Sequence, residues 1–299
     1  MAEYHLIVSN PPHRTPDARA AAPYMKCAVA ELRMKLNFPA PEIWLAETDE
    51  GDAREVANAL HGAGISLAWI PGSVLAQVPP ALPATSIALD GENMLVTTVA
   101  GEVAVTRGDR VVTVLGEPPQ QDARPTRNSG SMLTQQVPGH GPVRSMPFAS
   151  GIVSAAGIVG YGATNKLDKM AQEAKDAATK RISGSRAAEP GQLFLDLYTS
   201  GTDGWKATRI TQSSVDFSGL GAVMQPSARG NINAILDTLA ERPHAHVDKR
   251  LVKVAYRHSI VSGMALNQVL REISEELATL PLLDIGSKLA FLTNKGKKF

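Results

Sequence analysis

Residues 84–116, ATSIALDGENMLVTTVAGEVAVTRGDRVVTVLG, decide the fold class, because turn signals interrupt their β-branched runs every eight to ten residues. The turns are predicted at residues 90–93, 100–102 and 107–109. Short runs at this spacing are typical of an antiparallel β-meander. Two placements stay open: the meander either extends the sheet formed by the preceding residues or forms a separate small β unit.

The residues before the meander alternate strand and helix patterns. Apolar runs at residues 6–8, 43–46 and 65–70 are predicted strands. The helix pattern at residues 17–36 contains Pro23, which predicts two helices because proline interrupts a helix interior. A further helix is predicted to begin after Thr48 and Asp49, which are good N-cap residues, and to stop at Gly62 and Gly64. The order strand, helix, strand, helix, strand predicts an α/β layer with parallel neighbouring strands.

The residues after the meander begin with a linker pattern. Residues 117–144 contain five prolines and no apolar periodicity, and residues 145–165 carry no charged side chain. Residues 165–182 have the period of an amphipathic helix. Residues 193–211 predict a β-hairpin that turns at residues 200–204. Three helical patterns follow, beginning near residues 227, 248 and 262.

Together these patterns predict an α+β fold. Residues 1–116 are expected to form an α/β layer with the β-meander. Residues 117–165 are expected to be a linker with the uncharged, glycine-rich segment. Residues 166–299 are expected to hold a helix, the hairpin and the C-terminal helices.

Composition is that of a soluble globular protein of 299 residues, with 43% hydrophobic and 20% charged residues. Residues 1–120 carry eight Lys/Arg and fourteen Asp/Glu, a net charge of −6, whereas residues 121–299 carry twenty-two and fifteen, a net charge of +7. The asymmetry indicates either a docking surface or two parts that attract each other. An overall charge of +1 and only 5% aromatic residues give no support for nucleic-acid binding.

The single cysteine, Cys27, excludes an internal disulfide, and the N-terminus lacks the long apolar core of a signal peptide. Cytoplasmic residence is therefore expected, either free or associated with a membrane surface without a transmembrane span. Cys27 has no histidine near it in sequence, which favours a small buried hydrophobe over a nucleophile.

A partial metal motif lies at residues 244–248. His244, His246 and Asp248 are similar to the HxHxDH zinc signature of the metallo-β-lactamases, but Lys249 stands where the last histidine belongs. Zinc needs three or four protein ligands. We therefore expect no metal, and we interpret these residues as a polar turn between helices in which Asp248 caps the next helix.

No cofactor or catalytic motif is complete in this sequence. Gly157, Gly160 and Gly162 lack the spacing of a dinucleotide or phosphate loop, and no nucleophile elbow is present. Residues 216–221, DFSGLG, are predicted to be a turn before the first C-terminal helix. We expect no catalytic, cofactor-binding or metal-binding residue.

The preferred interpretation is a non-catalytic interaction or scaffold subunit that docks onto a larger protein assembly. Small residues in the uncharged segment would let a partner approach closely. The alternatives are an enzyme that acts on a small molecule with dispersed residues, and a ligand-sensing regulatory module built on the α/β layer. The predicted contact residues are Phe148, Ile152, Val153, Gly157, Ile158, Gly160 and Tyr161.

Overall fold

The computed structural model describes residues 3–118, 191–202, 204–252, 254 and 263–295. All described residues belong to one compact unit. The fold is α+β, as the sequence predicts. The predicted linker, the uncharged segment and the helix at residues 165–182 lie outside the described residues.

The small sheet has three strands, β1 (His5–Ser9), β2 (Glu42–Glu47) and β3 (Leu67–Pro71). β1 lies between β2 and β3 and is antiparallel to both, so the prediction of parallel neighbours was wrong. The helical stretch between β1 and β2 is broken near Pro23 into two helices, as predicted. β2 and β3 point the same way, but β1 separates them.

Two helices of the described residues begin at the residues predicted from the sequence, one after Asp49 and one after Ser227. The carboxylate of Asp49 accepts a hydrogen bond of 2.9 Å from the N–H of Asp52, and the hydroxyl of Ser227 accepts one of 3.0 Å from Gly230. The helices are α1 (Ala18–Ala21), α2 (Val29–Leu36), α3 (Glu50–Gly62), α4 (Gly72–Ala76), α5 (Ala228–Ala240), α6 (Gly263–Ile273), α7 (Glu275–Thr279) and α8 (Leu282–Asn294).

The large sheet has eight strands in the order β11-β7-β8-β9-β4-β5-β6, with β10 beside β4. Its members are β4 (Leu82–Asp90), β5 (Asn93–Thr98), β6 (Gly101–Val105), β7 (Val111–Glu117), β8 (Phe194–Gly201), β9 (Gly204–Thr211), β10 (Asp216–Gly219) and β11 (Ala245–Val252). The antiparallel meander β4–β6 and the hairpin β8–β9 are confirmed. The turn between β4 and β5 and the turn between β8 and β9 each place a glycine at positive φ, +60° at Gly91 and +106° at Gly204, where a side chain would be strained.

The fourth run of the predicted meander, β7, leaves it and lies between β8 and β11. All seven residues of β7 are buried, which requires a strand covered on both faces. β9 of the hairpin pairs with β4 of the meander, and β7 pairs with β8 on the other side of the hairpin. The meander therefore belongs to the sheet of the C-terminal hairpin and not to the small N-terminal sheet.

Two segments that were predicted as turns are strands. Residues 245–252, predicted as an inter-helix turn and the start of a helix, form β11, which is parallel to β7. Residues 216–219 form β10, which is parallel to β4. Pairing with strands distant in sequence outweighed the helical spacing of the apolar residues, because strand preference depends on the neighbours.

Three apolar clusters hold the layers together. One packs helices α1 to α3 on the outer face of the small sheet, at Ile7 and Trp44. A second fills the space between the two sheets, where α8 contacts Val112 and Val114 of β7. The third packs α5 against the far face of the large sheet, so α8 lies in the central layer.

Helix α8 was not predicted, although residues 285–294 are all buried. A helix covered on every side lacks the one-sided apolar pattern by which sequence reasoning recognises a helix. The pattern expected from residue 262 to 280 is instead divided into α6 and α7. None of the helices in the described part of the chain combines the length and apolar character that crossing a bilayer requires.

Candidate functional site

The contact residues predicted from the sequence lie outside the described residues, so their structure is not part of the site described below. They are Phe148, Ile152, Val153, Gly157, Ile158, Gly160 and Tyr161.

The strongest electrostatic cluster of the described residues lies between the large sheet and α8. Arg209 on β9 donates two hydrogen bonds of 2.7 Å to Asp196 on β8 and one of 2.8 Å to Asp284 on α8. Asp196 is fully buried, and its second oxygen also accepts a hydrogen bond of 2.6 Å from Ser287. The guanidinium lies over the ring of Phe194, 4.7 Å from its centre.

The pKa values of this cluster follow from burial and from its own charges. Burial alone would lower the pKa of Arg209, but the charges of Asp196 and Asp284 outweigh it and raise that pKa. Burial raises the pKa of Asp284 and lowers the pKa of the nearby Lys288, whose ammonium donates to the carbonyl of Val78. Each of these groups is occupied by an internal partner, so the cluster fixes α8 against the sheet.

A second buried cluster occupies the position of the partial zinc motif. Asp248 accepts hydrogen bonds from Arg250 and, at 2.6 Å, from the amide of Asn294 on α8. Burial alone would raise the pKa of Asp248, but the bonds and charge of Arg250 lower it. Arg250 also donates 2.6 Å and 2.8 Å hydrogen bonds to Asn10 and to the carbonyl of Pro11.

The predicted cap role of Asp248 was therefore wrong, because its carboxylate ties β11 to α8 and not to a helix N-terminus. His244 is exposed, and His246 lies on β11. Within the described ranges, no three His, Cys, Asp or Glu side chains approach closely enough to hold a metal ion.

Cys27 is the one cysteine of the chain, and it is half-buried. Burial, followed by the charge of Glu31, raises the pKa of the thiol. A raised pKa keeps the sulfur protonated at neutral pH, whereas a catalytic cysteine needs a thiolate.

The α/β layer carries a concavity of about 510 Å³ between the loop after β1 and the loop before β3. Arg14, His61 and Ser66 line it. Beside it, the Nδ1 atom of His13 accepts a hydrogen bond of 3.2 Å from the N–H of Ser66, which places the ring proton on Nε2. Burial lowers the pKa of His13, so the imidazole is neutral. The concavity is a candidate small-ligand site.

The large sheet carries a groove of about 330 Å³ beside the first half of β9, which we call the β9 groove. Its lining residues are Pro79, Pro80, Leu82, Val103, Trp205 and Thr208, together with neighbours on the turn between β5 and β6. Val99 at that turn is 79% exposed, the largest exposed fraction among the large exposed hydrophobic side chains described. The groove is therefore mostly apolar and open to solvent.

The β9 groove exists because β4 and β9 pair over a short distance. β4 pairs with β9 only at Thr208 and Arg209, so, within the described chain, residues 204–207 face no strand on that side. Pro79 and Pro80 precede β4 where its extension would run. Proline lacks an N–H and cannot continue the ladder, so the strands separate at this point.

One buried polar group in the β9 groove has no partner. Thr208 is 2% exposed, and its hydroxyl makes no hydrogen bond within the described residues. Buried hydroxyl groups are nearly always hydrogen-bonded, and this one lies beneath the groove wall, so a ligand atom reaches it only if wall residues move. Sequence reasoning missed this groove; the available signal was the Pro79-Pro80 pair directly before a strand.

Comparisons of the chain with protein-family models, with curated proteins and with solved structures find no match.

Proposed function

We propose that this protein is a non-catalytic interaction subunit that docks onto a larger protein assembly through the β9 groove. The observation that carries the proposal is a stretch of β9, residues 204–207, that pairs with no described strand on the side of an open apolar groove. Exposed strand edges are sites where other chains pair, and natural proteins usually protect them. An edge left open inside a groove is best explained by a partner that covers it.

The use of the buried ionisable groups supports the same proposal. Arg209 and Arg250 are each engaged by internal carboxylates, and the described residues hold no cluster of metal ligands. An active site needs ionisable groups that reach a substrate. Here these groups join α8 to the large sheet, and the groove residues that face solvent are mostly apolar.

We propose that docking takes place in the cytoplasm, either free or peripherally at a membrane surface. The uncharged segment at residues 145–165 is a second proposed contact region, because small residues allow close approach. The β9 groove and residues 145–165 can be tested separately, because substitutions in the groove leave the sequence of residues 145–165 unchanged.

Photo-crosslinking in cells tests the docking function. A benzophenone amino acid placed at the exposed Val99, between the groove-lining residues Thr98 and Ala100, should form a discrete crosslinked product with a partner. The same amino acid at Met34 on α2, which is 64% exposed, is the matched control. Crosslinks at Met34 equal to those at Val99, or no product at Val99, would refute docking through the groove.

A ligand-sensing module is a second candidate function, favoured by the concavity of about 510 Å³ that Arg14 and His61 line. Its volume is in the range of small-ligand sites, and its two side chains can meet an anionic ligand. Inorganic phosphate should then raise the melting temperature of the wild-type protein but not that of Arg14→Ala. Equal shifts in both proteins would refute this candidate.

A further inference from the structure

We propose that the β9 groove binds an extended peptide segment of a partner protein, which adds to the large sheet as a strand beside β9. This inference rests on the proposed docking function and specifies the partner's chemistry. The occupant would lie between residues 204–207 of β9 and the Pro79-Pro80 wall, where β4 leaves the ladder open.

The backbone of β9 requires an extended ligand. Its residues 204–207 pair with β8 on one side and, within the described chain, with no strand on the other. An extended peptide supplies N–H and C=O groups at the spacing of the ladder, as in known strand-addition complexes. A helix satisfies its own backbone and would leave this edge unused.

The hydroxyl of Thr208 gives the site a polar anchor. It is buried beneath the groove wall, and it can donate one hydrogen bond and accept two. A backbone amide of an added strand would satisfy it without requiring a particular ligand side chain. The neighbouring β4 pairing at Leu82 marks where the added strand must end.

The walls predict the side chains of the ligand. Pro79, Pro80 and Trp205 present apolar surface, which favours apolar residues at alternate positions of the peptide. Lys206 and Glu102 are exposed at the groove and form no salt bridge within the part of the chain that the structure describes. A peptide side chain near Lys206 is therefore expected to be acidic, and one near Glu102 is expected to be basic.

Selection from a display library of random linear heptapeptides, panned on the full-length protein, tests the inference. Selected peptides should show alternating apolar residues. Added in excess, they should reduce the crosslinking of the partner at Val99. Each is then synthesised in two N-methylated forms, one blocking odd residues and the other blocking even residues. A peptide that pairs with β9 along one of its edges uses only every second N–H. One methylated form should therefore lose about tenfold or more in affinity for the protein, and the other form much less.

The Thr208→Val variant provides a matched test within the protein. Valine has the shape of threonine without the hydroxyl, and no described hydrogen bond is lost, so the variant should fold with an unchanged melting temperature. Its affinity for the selected peptides should fall by about fivefold or more. Equal affinity of the wild-type protein and the variant would refute the role of the Thr208 hydroxyl in peptide binding.

The outcomes separate this inference from the docking function. If no peptide is selected, or if both methylated forms bind like the parent, strand addition is wrong. Persistent crosslinking at Val99 in that case would leave docking intact and identify a folded surface as the partner. Absence of crosslinking at Val99 would instead refute docking through the groove itself.

Discussion

Replacing Arg209 by methionine tests whether the buried ionic cluster holds α8 to the large sheet. Methionine keeps much of the apolar length of arginine but removes the charge. The substitution leaves the carboxylates of Asp196 and Asp284, whose side chains are 0% and 14% exposed, without their shared cation. The hydrogen bonds from Arg209 to both carboxylates are lost together.

The expected cost is large relative to the stability of a domain. Breaking a buried ion pair by removing one partner costs about 3–5 kcal/mol. A typical domain has a free energy of unfolding of about 5–15 kcal/mol. Arg209→Met should therefore remove a large share of the stability. The matched control, Arg54→Met, breaks an exposed pair with Glu50 and should cost no more than about 1 kcal/mol.

Urea unfolding at pH 7, followed by tryptophan fluorescence, measures this loss. All three tryptophans, Trp44, Trp69 and Trp205, lie in the described compact unit, so the signal reports that unit. Adding Asp196→Leu to Arg209→Met should restore part of the stability, because it removes a buried charge that has lost its partner.

The pH dependence of the Arg209→Met variant gives an independent check. The folded-state pKa of Asp284 is raised by burial, and removing the guanidinium raises it further. A raised folded pKa favours the protonated folded state, so the deficit should shrink as pH falls from 7 toward about 5. A cost below about 1 kcal/mol at pH 7, or no recovery in the double variant, would refute the structural role of the cluster.

Three further predictions concern other parts of the chain. In Gly116→Ala, the new Cβ would lie 2.1 Å from the Cζ of Phe194, so overpacking should cost about 1–3 kcal/mol in urea unfolding. The folded pKa of Asp248 is lowered, so its contribution is present above its ordinary pKa of about 3.9 and is lost as pH falls below it; Asp248→Asn should flatten that part of the stability curve. Replacing Gly157 and Gly160 by leucine should abolish co-purification of the partner without changing the unfolding of the described unit.

Each of these predictions has its own control. Gly108→Ala, where a new Cβ meets no atom within 4 Å, should be nearly neutral, and equal costs at both glycines would contradict the overpacking argument. An unchanged acid slope in Asp248→Asn would mean that other carboxylates dominate acid unfolding. Full partner binding by the leucine double variant would remove the uncharged segment from the docking surface.

Local chemistry allowed several elements to be predicted from the sequence. Asp49 and Ser227 mark helix starts because their side chains accept hydrogen bonds from the first turn. Gly91 and Gly204 mark hairpin turns because those turns need positive φ. These signals involve residues only a few positions apart, so the chain determines them without its tertiary partners.

The candidate site could not be predicted in the same way. In the sequence, Thr208 has the character of an ordinary strand residue. Its pairing with Leu82 and the lack of a described partner for its hydroxyl are properties of the folded chain. Pro79-Pro80 indicates an interrupted strand, but the sequence does not say which strand is left without a neighbour.

The sequence by itself determined the caps at Asp49 and Ser227, the turns at Gly91 and Gly204 and the hairpins that these turns close, because their energies come from hydrogen bonds and backbone angles within a few residues. The tertiary structure alone decided that residues 245–252 are a strand, that α8 is the central helix and that β9, among the described strands, meets β4 only at residues 208 and 209. Those outcomes depend on burial and pairing between residues more than a hundred positions apart, as with Asp248 and Val114. Sequence patterns over a few residues do not show which distant strand or helix will pack against them.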